Sequence, residues 1–98
     1  MAENTIKQQV IRKTLSGSWE SYAFDVRSKS FFVKNFTDDP IYVSFEDDDS
    51  EDESIKIPSQ MAEIVYISSL NPLNGLFFTD KIYVKGTGEV EVEAIEWL

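Results

Sequence analysis

Carboxylates are the only plentiful groups in this chain that could do acid–base or metal chemistry, because it has no His and no Cys. Their absence removes the usual general base near neutral pH, the usual zinc ligands and the best nucleophile. A pair of carboxylates can still act as acid and base, but only in a pocket that drives their two pKa values apart. Most acids here lie in one run or alternate with apolar residues along a strand pattern, where water would solvate them. The chain therefore reads as a non-enzyme with no cofactor.

Residues 46–53 hold seven acids: Glu46, Asp47, Asp48, Asp49, Glu51, Asp52 and Glu53. Clustered carboxylates suit Ca²⁺, which takes six to eight oxygens. This run has no glycine to turn a coordinating loop, and the twelfth position counted from Asp47 is Pro58, so the EF-hand pattern fails. Asp47, Asp49 and Asp52 are at most ligands for weak, adventitious divalent binding. The simpler reading is a solvated hairpin loop. The run also sets the charge, since taking its seven acids from the net −9 leaves −2. The rest of the surface is ordinary, without the clustered Lys and Arg that phosphate binding needs, so direct nucleic-acid binding is not expected.

The elements that must position these groups are strands. In Trp19-Glu20-Ser21-Tyr22-Ala23-Phe24-Asp25-Val26, the residues Tyr22, Phe24 and Val26 recur at period two. Phe31-Phe32-Val33-Lys34-Asn35-Phe36 and Ile41-Tyr42-Val43-Ser44-Phe45 flank Thr37-Asp38-Asp39-Pro40, which has turn chemistry, and the spacing predicts a hairpin. A short strand over residues 54–57 ends at Pro58, and residues 61–67 fit a strand or one helical turn, with strand favoured because β-branched residues fill their second half. Asn71-Pro72-Leu73-Asn74-Gly75 is a loop.

Residues 80–85 and 89–94 flank Gly86-Thr87-Gly88, which reads as a hairpin turn. No helix follows these glycines to make a phosphate-binding loop. Val90, Val92 and Ala94 should face the core, with Glu89, Glu91 and Glu93 toward water, and that acid ladder discourages edge-to-edge aggregation. Ser16-Gly17-Ser18 reads as a turn.

Ile6, Val10 and Ile11 fit helical spacing, yet Val, Ile, Thr and Gln suit a strand equally. Residues 1–16 are thus a first strand, or an arm that orders only on a neighbouring subunit. Residues 17–98 form a single domain with an acidic loop at 46–54. Seven or eight short strands define an all-β class, a small antiparallel β-sandwich or open barrel. Apolar runs of only a few residues, such as 64–67, give no membrane span, and the first residues lack signal-peptide features.

Trp19 and Trp97 each close one side of the core or anchor a subunit contact. Phe31 and Phe32 share that ambiguity, because adjacent strand residues point to opposite faces. All four are candidate interface residues.

The segment from Phe31 to Phe45, with Val33-Lys34-Asn35, a polar turn and Ile41-Tyr42-Val43-Ser44-Phe45, resembles a hairpin of small virion proteins of tailed bacteriophages. Ile55-Lys56-Ile57-Pro58-Ser59 is similar to a later step in such proteins. Asp80 to Glu93, with Ile82-Tyr83-Val84-Lys85-Gly86-Thr87-Gly88-Glu89-Val90-Glu91-Val92, is similar to their closing hairpin. The likeness covers roughly residues 19–97. It departs at the acidic run, where those proteins have a short connection, and it carries no functional residue across. It implies a β-sandwich displayed in many copies on a phage head or tail, made in the host cytoplasm, with other virion proteins as partners and a homo-oligomer expected. Two other classes stay open: a small acidic inhibitor imitating nucleic acid, and a carbohydrate- or receptor-binding module using Tyr22, Tyr42, Tyr66 and Tyr83 as stacking platforms.

Overall fold

The structure, a computed structural model, describes residues 9–45, 54–67 and 78–96. Six strands make up this part: β1 (Gln9–Ser28), β2 (Ser30–Asn35), β3 (Ile41–Ser44), β4 (Ile55–Ile57), β5 (Ala62–Tyr66) and β6 (Thr79–Ala94). Every pairing is antiparallel, and together they form one sheet nearly closed into a barrel. The all-β expectation holds. The strand count is lower than expected because two predicted reversals do not occur.

β6 is the axis of the sheet. One of its edges carries β1 along almost its whole length, from Gln9 opposite Ala94 to Ser28 opposite Thr79. Its other edge is shared: β2 covers the second half, from Phe31 opposite Ala94 to Asn35 opposite Val90. β3 covers the first half, from Tyr42 opposite Lys85 to Ser44 opposite Tyr83. β5 then adds to β2, and β4 to β3.

Two hairpins read from the sequence are corrected by this register. β2 and β3 do not pair with each other; they run in the same direction along one edge of β6, and residues 36–40 form a corner between them. Gly86-Thr87-Gly88 is not a turn either, because β6 continues through it without reversing. The same holds for Ser16-Gly17-Ser18, which lies within β1.

These glycines mark a bend. Ser16 pairs with Thr87 and Trp19 with Lys85, so Gly17 and Ser18 together face the single residue Gly86, a β-bulge. Gly17 has φ 103° and Gly88 φ 119°, a backbone region that L side chains rarely adopt. Gly86 is needed for space, since a Cβ there would stand 2.6 Å from Cγ2 of the buried Ile41.

The extra residue in β1 has a direct effect on burial. Before the bulge the odd positions Ile11 and Leu15 turn inward; after it the even positions Tyr22, Phe24 and Val26 do. β6 carries no insertion, and Ile82, Val84, Val90, Val92 and Ala94 keep one parity throughout.

At the bend the sheet folds onto itself, as corners in packed sheets do. The Phe24 and Phe31 ring centroids come within 5.4 Å, and Phe31 and Phe45 within 5.9 Å. Along the seam between the two halves of β1, side chains bridge to backbone. Lys13 Nζ donates to the Ser21 carbonyl at 2.7 Å, and the Asp25 amide donates to Gln9 Oε1 at 2.9 Å. Lys13 also lies 5.3 Å from the centroid of the Tyr22 ring.

Candidate functional site: the outer face of the β1–β6–β2–β5 sheet

Strand register sets the outward side chains of this half of the sheet in rows. One row runs Val10, Glu93, Phe32, Ile64, and the next runs Arg12, Glu91, Lys34, Ala62. A third brings Thr14 beside Glu89, whose carbonyl accepts the Phe36 amide at 3.1 Å.

The central row is an ion cluster. Arg12 donates to Glu91 Oε1 from its terminal nitrogen at 2.7 Å and from Nε at 3.2 Å, and that Nε lies 3.0 Å from Glu89 Oε2. Lys34 Nζ approaches Glu91 Oε2 at 3.1 Å. Glu91 is therefore not the solvated residue its alternation suggested. It points outward as expected, but Arg12 and Lys34 cover it and its side chain is only 11% exposed. The hydrogen bond from Arg12, then that from Lys34, holds the Glu91 carboxyl below the usual carboxylate range, against the opposing effect of burial. The same Glu91 bond, with Glu89 nearby, raises Arg12 above its ordinary value.

Apolar groups surround these charges. Arg12 lies 5.8 Å from the Phe36 ring centroid and Lys34 5.2 Å from that of Phe32. Val10, Phe36, Ile64 and Tyr66 are all exposed. Arg12, Phe36, Gln60 and Glu89 line an open depression of about 380 Å³. Among the described residues, no group of three or more acids is placed to hold a metal ion.

The corner beside this depression is held by one buried amide. Asn35 Nδ2 lies within hydrogen-bond distance of the carbonyls of Asp39 (2.9 Å), Pro58 (3.0 Å) and Ile57 (3.2 Å). Its Oδ1 accepts the Thr37 amide at 2.8 Å. Ser59 Oγ and Gln60 Nε2 both donate to the Thr37 carbonyl, at 2.7 and 2.9 Å, and Gln60 takes φ 62° to reach it. Here the Thr37 hydroxyl holds the chain, with Oγ1 donating to the Asp39 carbonyl at 2.6 Å and accepting the Asp39 amide at 3.1 Å, where the sequence pointed to the acids. It shapes a corner rather than a reversal.

The interface candidates separate. Phe31 is fully buried and belongs to the core, which corrects its place among them. Phe32 stands half-buried on the outer face, and Trp19 is half-buried at the bulge. Trp97 and the metal candidates Asp47, Asp49 and Asp52 lie outside the described residues. Of the four tyrosines, Tyr22 is buried, Tyr42 and Tyr83 are half-buried and Tyr66 is exposed, so they form no common exposed platform.

Sequence reasoning missed Arg12, Lys34 and Asn35. Asn35 did carry a signal: it falls on the inward parity of Phe31 and Val33, and a polar side chain there needs buried partners. The class defined by fold and site is a small, nearly closed antiparallel β-domain with a mixed apolar and ion-paired outer face. Comparison with protein-family models, curated proteins and solved structures gives no match.

Proposed function

We propose that this chain is a non-enzymatic structural protein of a tailed-bacteriophage particle, binding other virion proteins in a head, head–tail or tail assembly. The observation that carries the reading is the outer face, where exposed Val10, Phe36, Ile64 and Tyr66 flank the Arg12–Glu91–Lys34 ion cluster and Glu93 stands between Val10 and Phe32. Aromatic and aliphatic groups around an arginine suit a protein contact, because apolar area can be covered while Arg12 and Lys34 keep their acid partners. The sequence likeness over residues 19–97 supplies the phage context.

On this reading the working groups are surface side chains, with no catalytic residue, cofactor, nucleic acid or membrane involved. Mass spectrometry of purified particles from a host making this protein tests it. Recovery at a fixed ratio to the major particle proteins is the expected result, and particles lacking the chain overturn the proposal.

A further inference from the structure

We infer that the open edge of β5 is a self-pairing edge, on which a second copy of this chain adds its own β5 antiparallel across a two-fold axis through Ile64. The inference goes beyond the assembly reading, since it names one contact and the partner that makes it.

The direction of the backbone groups is the first support. The Asn35 amide donates to the Met61 carbonyl at 2.9 Å, and the Ile67 amide to the Lys29 carbonyl at 3.0 Å. With the register Phe31 opposite Val65 and Val33 opposite Glu63, the odd residues of β5 turn their N–H and C=O toward β2. By the same alternation, Ala62, Ile64 and Tyr66 turn theirs away from it. Among the described residues no strand pairs with that edge. Met61 to Tyr66 is exposed apart from Val65.

The side chains then select the partner and the axis. Centred on Ile64, a two-fold pairs Ile64 with its own copy and sets each Tyr66 beside the small Ala62 of the other chain. All three pairs are of the hydrogen-bonded type, giving about six N–H···O bonds. On the outer face this extends the row in which Phe32 already stands beside Ile64. An axis through Glu63 would instead set two carboxylates directly opposite, which is unfavourable. With the axis at Ile64, Glu63 faces Val65, and the two Glu63 side chains are only diagonal neighbours. A five-residue edge covers less than the roughly 1,200 Å² at the low end of stable free-standing interfaces, so the pairing is weak in dilute solution. It becomes populated where copies are held close together.

Sedimentation equilibrium over about 0.02–1 mM protein, a range chosen to detect weak association, tests this. The average mass should rise with concentration toward that of a dimer. Ile64→Pro should abolish the rise while keeping the fold, because the Ile64 N–H is not used by β2 and proline is accepted on an outward edge. Glu63→Gln should tighten association about twofold to threefold by removing the diagonal repulsion. In the unaltered chain, amide shifts on dilution should be largest at Ala62, Ile64 and Tyr66, which keeps the test decisive should the proline variant unfold. A constant monomer mass up to the highest concentration overturns the inference, as does a dimer that Ile64→Pro leaves intact. Either result leaves the particle experiment unaffected.

Discussion

The Tyr22 hydroxyl donates a 2.9 Å hydrogen bond to the Val90 carbonyl, joining the second half of β1 to the second half of β6 through the core. The two residues are not register partners: Tyr22 pairs with Ile82, and Val90 with Lys13. The bond exists because the β1–β6 ribbon folds over at its glycines. Tyr22→Phe should cost about 1 kcal/mol in denaturant unfolding, as for a neutral hydrogen bond. Burial pushes the Tyr22 phenol well above its ordinary value. A raised value means that the unfolded chain ionises first, so this stabilisation is complete below about pH 10 and is lost as pH rises further. Alkaline titration should therefore show the Tyr22 phenolate appearing only with unfolding.

Gly86→Ala and Gly17→Ala separate crowding from backbone strain. At Gly86 the new methyl meets Ile41 Cγ2 at 2.6 Å and Ile41 Cβ at 3.3 Å, and Ile41 is fully buried. At Gly17 the nearest contact is Thr87 Oγ1 at 3.6 Å, leaving only the penalty of φ 103°. Thermal unfolding should show Gly86→Ala losing about 2–3 kcal/mol, and Gly17→Ala about 1 kcal/mol.

Asn35→Ala removes the amide on which three carbonyls and one N–H converge. The loss should be about 1–3 kcal/mol, since the buried Thr37 amide loses its acceptor and the Ile57 carbonyl its side-chain donor, while the Asp39 carbonyl keeps the Thr37 hydroxyl and the Pro58 carbonyl the Met61 amide. Asn35→Asp should be as damaging, because a carboxylate would face those carbonyls with no proton to offer. Chemical denaturation of both variants checks this.

Glu91→Gln should produce a modest, salt-sensitive loss of stability near pH 7, because Arg12 is 59% exposed and water screens the pair. The sign with pH follows from the depressed carboxyl. The stabilisation is fully present above the unfolded glutamate value of about 4.3 and is lost as pH falls through the lower folded value. Unfolding curves of parent and variant should therefore differ at neutral pH and converge in acid.

Much of this architecture is written in the chain as period-two alternation. Tyr22, Phe24 and Val26 point inward, as do Val90, Val92 and Ala94. The bends were harder to read, because a glycine shows that the backbone must approach closely or take positive φ without showing whether the chain reverses. One clue lay in parity. Ile82, Val84, Val90 and Val92 stay even across Gly86-Thr87-Gly88, as a continuous strand without an insertion requires. The β2–β3 corner misled for a related reason, since Thr37, Asp39 and Pro40 supply turn chemistry that a corner uses as readily as a hairpin. The burial of Glu91 depends on Arg12 and Lys34 flanking it from two other strands, a register that alternation within β6 cannot disclose.

The placement of every surface group described here depends on β6 being one continuous strand. Backbone couplings across hydrogen bonds, measured by nuclear magnetic resonance, test that most directly. They should connect β6 to β1 on both sides of Gly86-Thr87-Gly88, and to β3 before it and β2 after it. Couplings joining residues 80–85 to residues 89–94 as a hairpin would contradict the fold and the outer face built on it.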